Sequence, residues 1–430
     1  MTHKPGTCRG GAKTQARAQR DDGLQRQGVF SASFECAAGV PKLKIATTAA
    51  SAILAATALL HPVGAWAADP TALALNYLGR HQLADGAIDI SSAGFGNPGT
   101  TEDFVIGASA AGIDPNTLRV CGGTSAYDWL ATDYADASKN AGRTAKLILA
   151  LDAGGRDPHG FAGHDVVAGL LSTYVKSTGA FGDGGAFTQS LAILALRASG
   201  QPVGAKARHH LESIQDGDGG WGFGGTSDTN STALALEALK AVSDTNGRAA
   251  ALSYLHTQQD PGTGGFILSS GYGPPPYFSD PDSDALVIQG LLAAGQDPSG
   301  AAWTVGGRNA PQDLLTFQDT ASAGAALGGF IAFKPESATN QPDTTTTSQV
   351  PAALAGRAFP ILPTYRAGAS LAADACPAAQ VTPSPAPLLP TAGSGPAPAA
   401  PPLPSTWLAI LAMIAGTVGT ALLVGRRSNG

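Results

Sequence analysis

The sequence predicts an all-α fold built from six helical hairpins, and three observations carry that reading. One phrase closes successive apolar runs: Ala111-Gly112-Ile113-Asp114-Pro115, Gly154-Gly155-Arg156-Asp157-Pro158, Ser199-Gly200-Gln201-Pro202 and Ala294-Gly295-Gln296-Asp297-Pro298. Glycine supplies a left-handed C-cap there, and proline prevents the helix from continuing. Gly112, Gly155 and Gly200 stand 43 and 45 residues apart, and the 95 residues to Gly295 make two further periods. A period near 45 describes a two-helix unit. Short oxygen-bearing side chains then open the second helices, at Thr101-Glu102-Asp103, Thr188-Gln189-Ser190, Asp228-Thr229-Asn230-Ser231-Thr232 and Asp280-Pro281-Asp282-Ser283-Asp284. The balance of 27 Asp against five Glu agrees, because Asp favours caps and turns while Glu favours helix interiors.

Taken in order, residues 1–39 are rich in Arg, Gln and Gly without apolar periodicity, and read as a mis-called or disordered leader. Translation from Val40 would leave a signal peptide of ordinary length, residues 40–67. There Lys42 and Lys44 precede an apolar run, which ends in the small-x-small sequence Ala65-Trp66-Ala67 that signal peptidase cleaves. Residues 69–380 hold the six units, with starts expected near Asp69, Thr124, Asp165, Gly204, Asn246 and Ala301. Each unit reads as a helix, a Gly-rich turn, an Ala- and Leu-rich second helix and the stop. Residues 381–404 are an uncharged Pro/Ala-rich linker whose composition favours an extended spacer. Residues 405–425 form a transmembrane or sorting helix, with the apolar stretch Trp407–Val424, and residues 426–430 form a basic tail opened by Arg426-Arg427. The expected location is therefore the bacterial cell envelope, either anchored through the C-terminal helix or released after sorting.

The junction Pro402-Leu403-Pro404 resembles C-terminal sorting signals of the Pro-Glu-Pro type, which implies an exosortase as processing partner. Leu403 replaces the Glu of that pattern. Leu389-Pro390-Thr391-Ala392-Gly393 and Leu403-Pro404-Ser405-Thr406 are near matches to a sortase signal, and a plain tail anchor needs no enzyme. Cys121 and Cys376 are the only cysteines after the signal, an even number in an oxidising compartment, so a disulfide between them is expected. Two free thiols are the alternative. Residues 69–380 carry 29 of the 32 acidic side chains and 16 of the 26 basic ones, a net charge near −13. Such a surface repels nucleic acid and polyanionic sugars.

Six hairpins can stack as an open solenoid or close into a ring with the Ala-rich helices inside. The sequence Gln215-Asp216-Gly217-Asp218-Gly219-Gly220-Trp221 resembles the Gln…Gly-x-Trp repeat of squalene cyclases and related prenyltransferase-like toroids. Fainter forms recur in register at Gln82 with Asp85-Gly86, Gly179-Ala180-Phe181, Gln258-Gln259 with Gly264-Gly265-Phe266, and Gln318 with Gly328-Gly329-Phe330. The resemblance covers residues 69–380 and implies a terpene cyclase-like α6/α6 toroid, in which Gln and Trp have a structural task. A bridge between Cys121, after the first unit, and Cys376, after the sixth, would staple such a ring.

The chemistry of that family is less visible. Its cyclases protonate substrate with the middle acid of Asp-x-Asp-Asp; the match here, Asp280-Pro281-Asp282-Ser283-Asp284, has Ser in the last place. Asp282 is the candidate acid, but its segment also occupies a helix-cap position. Trp129, Trp221 and Trp303 are too few to line a carbocation cavity, and the Cys, Asp and His zinc set of protein prenyltransferases is missing. No catalytic residue beyond Asp282 is nominated, and no cofactor or metal is expected. His159 and His164 with Asp157 and Asp165 read as solvated loop residues rather than a zinc site, and Asp216 to Gly219 as a tight turn rather than a calcium loop. The long loop holding Tyr272, Pro274-Pro275-Pro276, Tyr277 and Phe278 places three rings beside acids. Trp221, Tyr272, Tyr277, Phe278, Asp280 and Asp284 are the candidate binding residues, for a small apolar or sugar ligand or a cell-surface component. The expected function is a non-catalytic binding toroid. A degenerate cyclase or a carbohydrate-active α6/α6 lyase or hydrolase is the alternative, and a cobalamin-type binder a minor one.

Overall fold

The structure is a computed structural model and describes residues 69–90, 94–119, 123–271, 277–334, 340–365 and 369–371. Contacts divide the chain into Met1–Gly64 and Ala65–Gly430, and every described residue belongs to the second unit. Cys121, Tyr272 and Cys376 lie outside the described residues, as do the signal, linker and anchor segments. Among the described residues, no helix is long and apolar enough to cross a membrane.

Helices alternate between two layers. The pairs are α1 Pro70–Arg80 with α2 Pro98–Ala110, α3 Ala126–Ala137 with α4 Ala141–Ala153, α5 Val166–Ser172 with α6 Ala186–Ala198, α7 Ala205–Ser213 with α8 Thr229–Ala241, α9 Arg248–Thr257 with α10 Pro281–Ala293, and α11 Ala310–Leu315 with α12 Thr344–Gln349. A last turn, α13, covers Pro351–Leu354. The second helix of each pair packs on that of the next, and α12 packs back on α2, so the six close into an inner ring. Small residues make the approach tight: a Cβ on Gly290 would lie 2.9 Å from Cα of Ala233.

The predicted stops are Schellman motifs. Gly112, Gly155, Gly200 and Gly295 have φ of +81°, +64°, +71° and +68°. The following amides bond back across the turn, as Gln201 N does to Leu196 O at 2.7 Å. The predicted starts need one correction. Asp228 and Asp280 do cap α8 and α10, but α2 begins under Asn97 and α6 under Gly185, ahead of the Thr101 and Thr188 segments. The sixth outer helix also begins later than Ala301, because Gly306 and Gly307 at φ +59° and +81° bar a helix until the Asn309 capping box.

In five of the six inner helices, α4 being the exception, the fourth residue after the cap has a shared task. Thr101, Gln189, Thr232, Asp284 and Thr347 accept the amides of Ile88, Phe181, Trp221, Phe266 and Phe330. Each motif glutamine joins a Gly carbonyl to the start of the next repeat: Gln215 to Gly219 and Gly247 at 2.7 and 2.9 Å, and Gln259 to Gly264 and Trp303 at 2.8 and 2.9 Å. Gln318 does the same with Gly328 and Pro70, at 3.1 and 2.9 Å. Repeat six is therefore sealed to repeat one by the bond that seals the others. Gly328, at φ +88°, sits so close to Leu73 that a Cβ would lie 2.3 Å from its carbonyl oxygen. Tyr77 Oη adds a bond to Pro342 O at 2.9 Å. The ring is closed, and the open solenoid is excluded.

A small hairpin, β1 Trp221–Phe223 with β2 Thr226–Asp228, turns at Gly224-Gly225. After α13 the chain crosses the end of the barrel where the inner helices finish. Phe359 N donates to Glu237 Oε2 at 2.5 Å, and Tyr365 Oη to Ala153 O at 3.0 Å. This strap forms the barrel floor.

Candidate functional site

All six inner helices begin at the end opposite the strap, because each outer helix returns the chain there. Their first turns surround the mouth of the barrel. Inside it, Lys146 on α4 bonds Asp103 on α2 at 2.7 Å, both partly exposed. Burial alone would lower Lys146, but Asp103 and Glu102 outweigh it and hold its ammonium up. Burial raises Glu102 to about 8 despite Lys146, and its Oε1 has no partner.

Asp282 faces the same group from α10. It is only 6% exposed, and Oδ1 has no partner among the described residues. Burial, then Asp280, Asp343 and Asp103, push its carboxyl well above the usual range, with Lys146 opposing. Burial thus favours its protonated form, which can donate a hydrogen bond. Asp282 is not the cap. Asp280 is, accepting from Ser283 N at 2.8 Å and Ser283 Oγ at 2.7 Å. Ser283, standing where the family pattern has its last acid, is consumed by that cap.

Aromatic rings stand outside this polar centre. Phe278 and Tyr277 lie in the loop leading to α10, as expected from sequence, with Phe278 66% exposed and Tyr277 Oη bonded to Ser270 O at 2.9 Å. Four further exposed rings escaped the sequence reading: Phe95 before α2 (61%), Phe187 in the first turn of α6 (46%), Phe223 before α8 (74%) and Phe333 before α12. The missed signal was positional, since Phe95, Phe187 and Phe223 lie within six residues of the start of an inner helix, while Phe333 lies eleven residues before α12. Phe187 and Asp282 even occupy the same position, the second residue of their helices.

Two nominated binding residues lie elsewhere. Trp221 is fully buried and donates from Nε1 to Leu211 O at 2.7 Å, the structural task its motif implies. Asp284 is fully buried beneath the rim, accepting from Phe266 N at 2.6 Å. The other sequence features do not converge on a ligand. His159 Nδ1 pairs with Asp165 at 3.1 Å while His164 stacks on Tyr134. Asp216 and Asp218 both accept from Ser227 Oγ, at 3.1 and 2.7 Å. Among the described residues, no three His, Cys, Asp or Glu side chains gather as a metal site.

No family model and no curated protein matches the chain. Among solved structures, it is similar to the apo type II terpene cyclase MstE from Scytonema, at 16% identity and a TM-score of 0.45, over 67% of this chain and 96% of that one. A glycosidase variant aligns at 15% identity and a TM-score of 0.45, over 66% and 94%. The ent-copalyl diphosphate synthase from Streptomyces platensis aligns at 17% identity and a TM-score of 0.39, over 60% of this chain and 49% of that one.

Proposed function

We propose that this toroid is an exported, envelope-held binding protein that takes a neutral sugar chain at the barrel mouth without transforming it. The carrying observation is the set of exposed rings on five of the six inner-helix approaches, around a centre of hydrogen-bonding side chains. Rings offer flat apolar faces to sugar C–H groups, while Lys146, Asp103 and Asp282 suit hydroxyls. Net charge disfavours acidic polysaccharides, and the envelope address rests on the signal-like and anchor-like segments of the sequence. The test is retardation in gels cast with neutral or acidic polysaccharides. Neutral polymers should slow the protein, and Phe278→Ala and Phe223→Ala should each weaken retention roughly fivefold at unchanged melting temperature. Undiminished retention in the double variant would refute the reading.

A hydrolase or lyase is the second reading, favoured by one observation: near the mouth stand an acid whose protonated form burial favours, Asp282, and a Lys146-paired carboxylate, Asp103, which is the division of roles such chemistry uses. Release of reducing ends, abolished by Asp282→Asn, would establish it. The cyclase reading has less support, because Ser283 stands in the place of the pattern's last acid and is held in the Asp280 cap.

A further inference from the structure

Beneath the rim, between the fifth and sixth repeats, two carboxylates meet around Gly265. A Cβ on that glycine would lie 2.1 Å from Asp313 Oδ2, and 2.7 and 2.9 Å from Asp284 Oδ1 and Oδ2. Both side chains are at least nine-tenths buried. Asp284 Oδ1 accepts from Phe266 N, and Asp313 Oδ1 takes Lys334 Nζ at 2.9 Å. The remaining oxygen of each, Oδ2, has no donor among the described residues. The charged groups around Asp284 are Asp280 from its own helix cap, Asp313 from α11 and Lys334 from the segment after Phe330, two acids besides itself against one cation.

The fold does not require an acid here. Thr101, Thr232 and Thr347 bind the matching amide with a hydroxyl, and Gln189 does so with an amide oxygen. What the acid adds is a partner for Asp313. Two ionised carboxylates buried side by side repel each other, whereas a proton on Asp284 removes that repulsion.

The pair also holds two rim segments. Asp280 N donates to Phe266 O at 3.2 Å while Phe266 N is bound by Asp284, so the loop carrying Tyr277 and Phe278 hangs on Phe266. Lys334, bound to Asp313, directly follows Phe333. We propose that Asp284 holds a proton where it meets Asp313 across this seam, and that losing it frees the Phe278 and Phe333 segments, making the rim a proton-gated surface. As regulation of ligand binding this rests on the binding reading above, but the gate can be read without ligand.

The experiment is hydrogen exchange of the full chain across about pH 5 to 9, corrected for intrinsic rates. Peptides covering residues 264–271 and 326–334 are compared with a control over residues 161–185. Opening of the two seam peptides should rise with pH, by up to tenfold per pH unit once Asp284 begins to ionise, while the control stays flat. Asp284→Thr, which installs the side chain used in three other repeats, should abolish that dependence, and Asp313→Asn should do the same. A flat wild-type profile, or an undiminished slope in both variants, would overturn the gate. Loss of sugar retention with an intact exchange profile would sink the binding reading alone.

Discussion

Ser243 shows what a single backbone position contributes. It holds φ +56° at the end of α8, where α2, α4, α6 and α10 use glycine, and Asp244 N still closes the turn on Leu239 O at 2.8 Å. The left-handed conformation is costly for any residue with a Cβ. Ser243→Gly should therefore stabilise the protein by about 0.5–1 kcal/mol, offset in part by the looser unfolded chain. Chemical denaturation reads this directly, and a loss of stability would mean that the serine is held by something other than the turn. The same substitution explains a gap in the sequence pattern: the stop phrase is absent after the fourth unit, although the helix ends there in the same geometry. Legibility at this scale depended on chemistry with one solution. A proline after glycine announces a helix end, whereas a serine in a glycine's place announces nothing.

At the scale of elements, the turn between the two helices of a repeat is fixed by one side chain on the inner helix. Thr232 Oγ1 accepts from Trp221 N at 2.9 Å, and both residues are fully buried. Thr232→Val keeps the shape and removes the acceptor, so it should cost about 1–3 kcal/mol, the penalty for stranding a buried amide. The melting midpoint would report it, and a change within error would mean that the amide finds another acceptor. Thr101 and Gln189 read from sequence as helix caps because the same oxygens serve either purpose. Their real task lies one turn inside the helix, and Asn97-Pro98 and Gly185 carry the true starts. Asp280 could be recognised as a cap since proline follows it at the first helical position. The aromatic rim was hidden for a different reason: its rings are single residues in loops of unequal length, and only the closed ring gathers them at one end.

For the whole molecule, buried acids dominate the response to pH. Burial raises Glu102 and Glu237 to about 8, Asp152 to about 7 and Asp280 to about 6, and lifts Asp282 and Asp284 further from their ordinary values. A group whose folded value lies above its unfolded one contributes stability that is present in full below the unfolded value and is lost as pH rises through the folded one. The denaturation midpoint should therefore be higher near pH 5 than near pH 9, falling most steeply between about 6 and 8. A midpoint that climbs over this interval would contradict the assignment of these acids as neutral in the fold. The six-unit plan was legible from the spacing of glycines and prolines, but its closure was not, because Gln318 and Pro70 are joined only in space. That closure sets a polarity. Asp69 and Thr71 line one cleft of about 380 Å³ together with Leu354, Arg357 and Thr364, so the chain enters and leaves the toroid on the floor side. A leash continuing beyond residue 371 would hold the ring by its underside, and the phenylalanine crown would look outward, away from whatever surface the leash is fixed to.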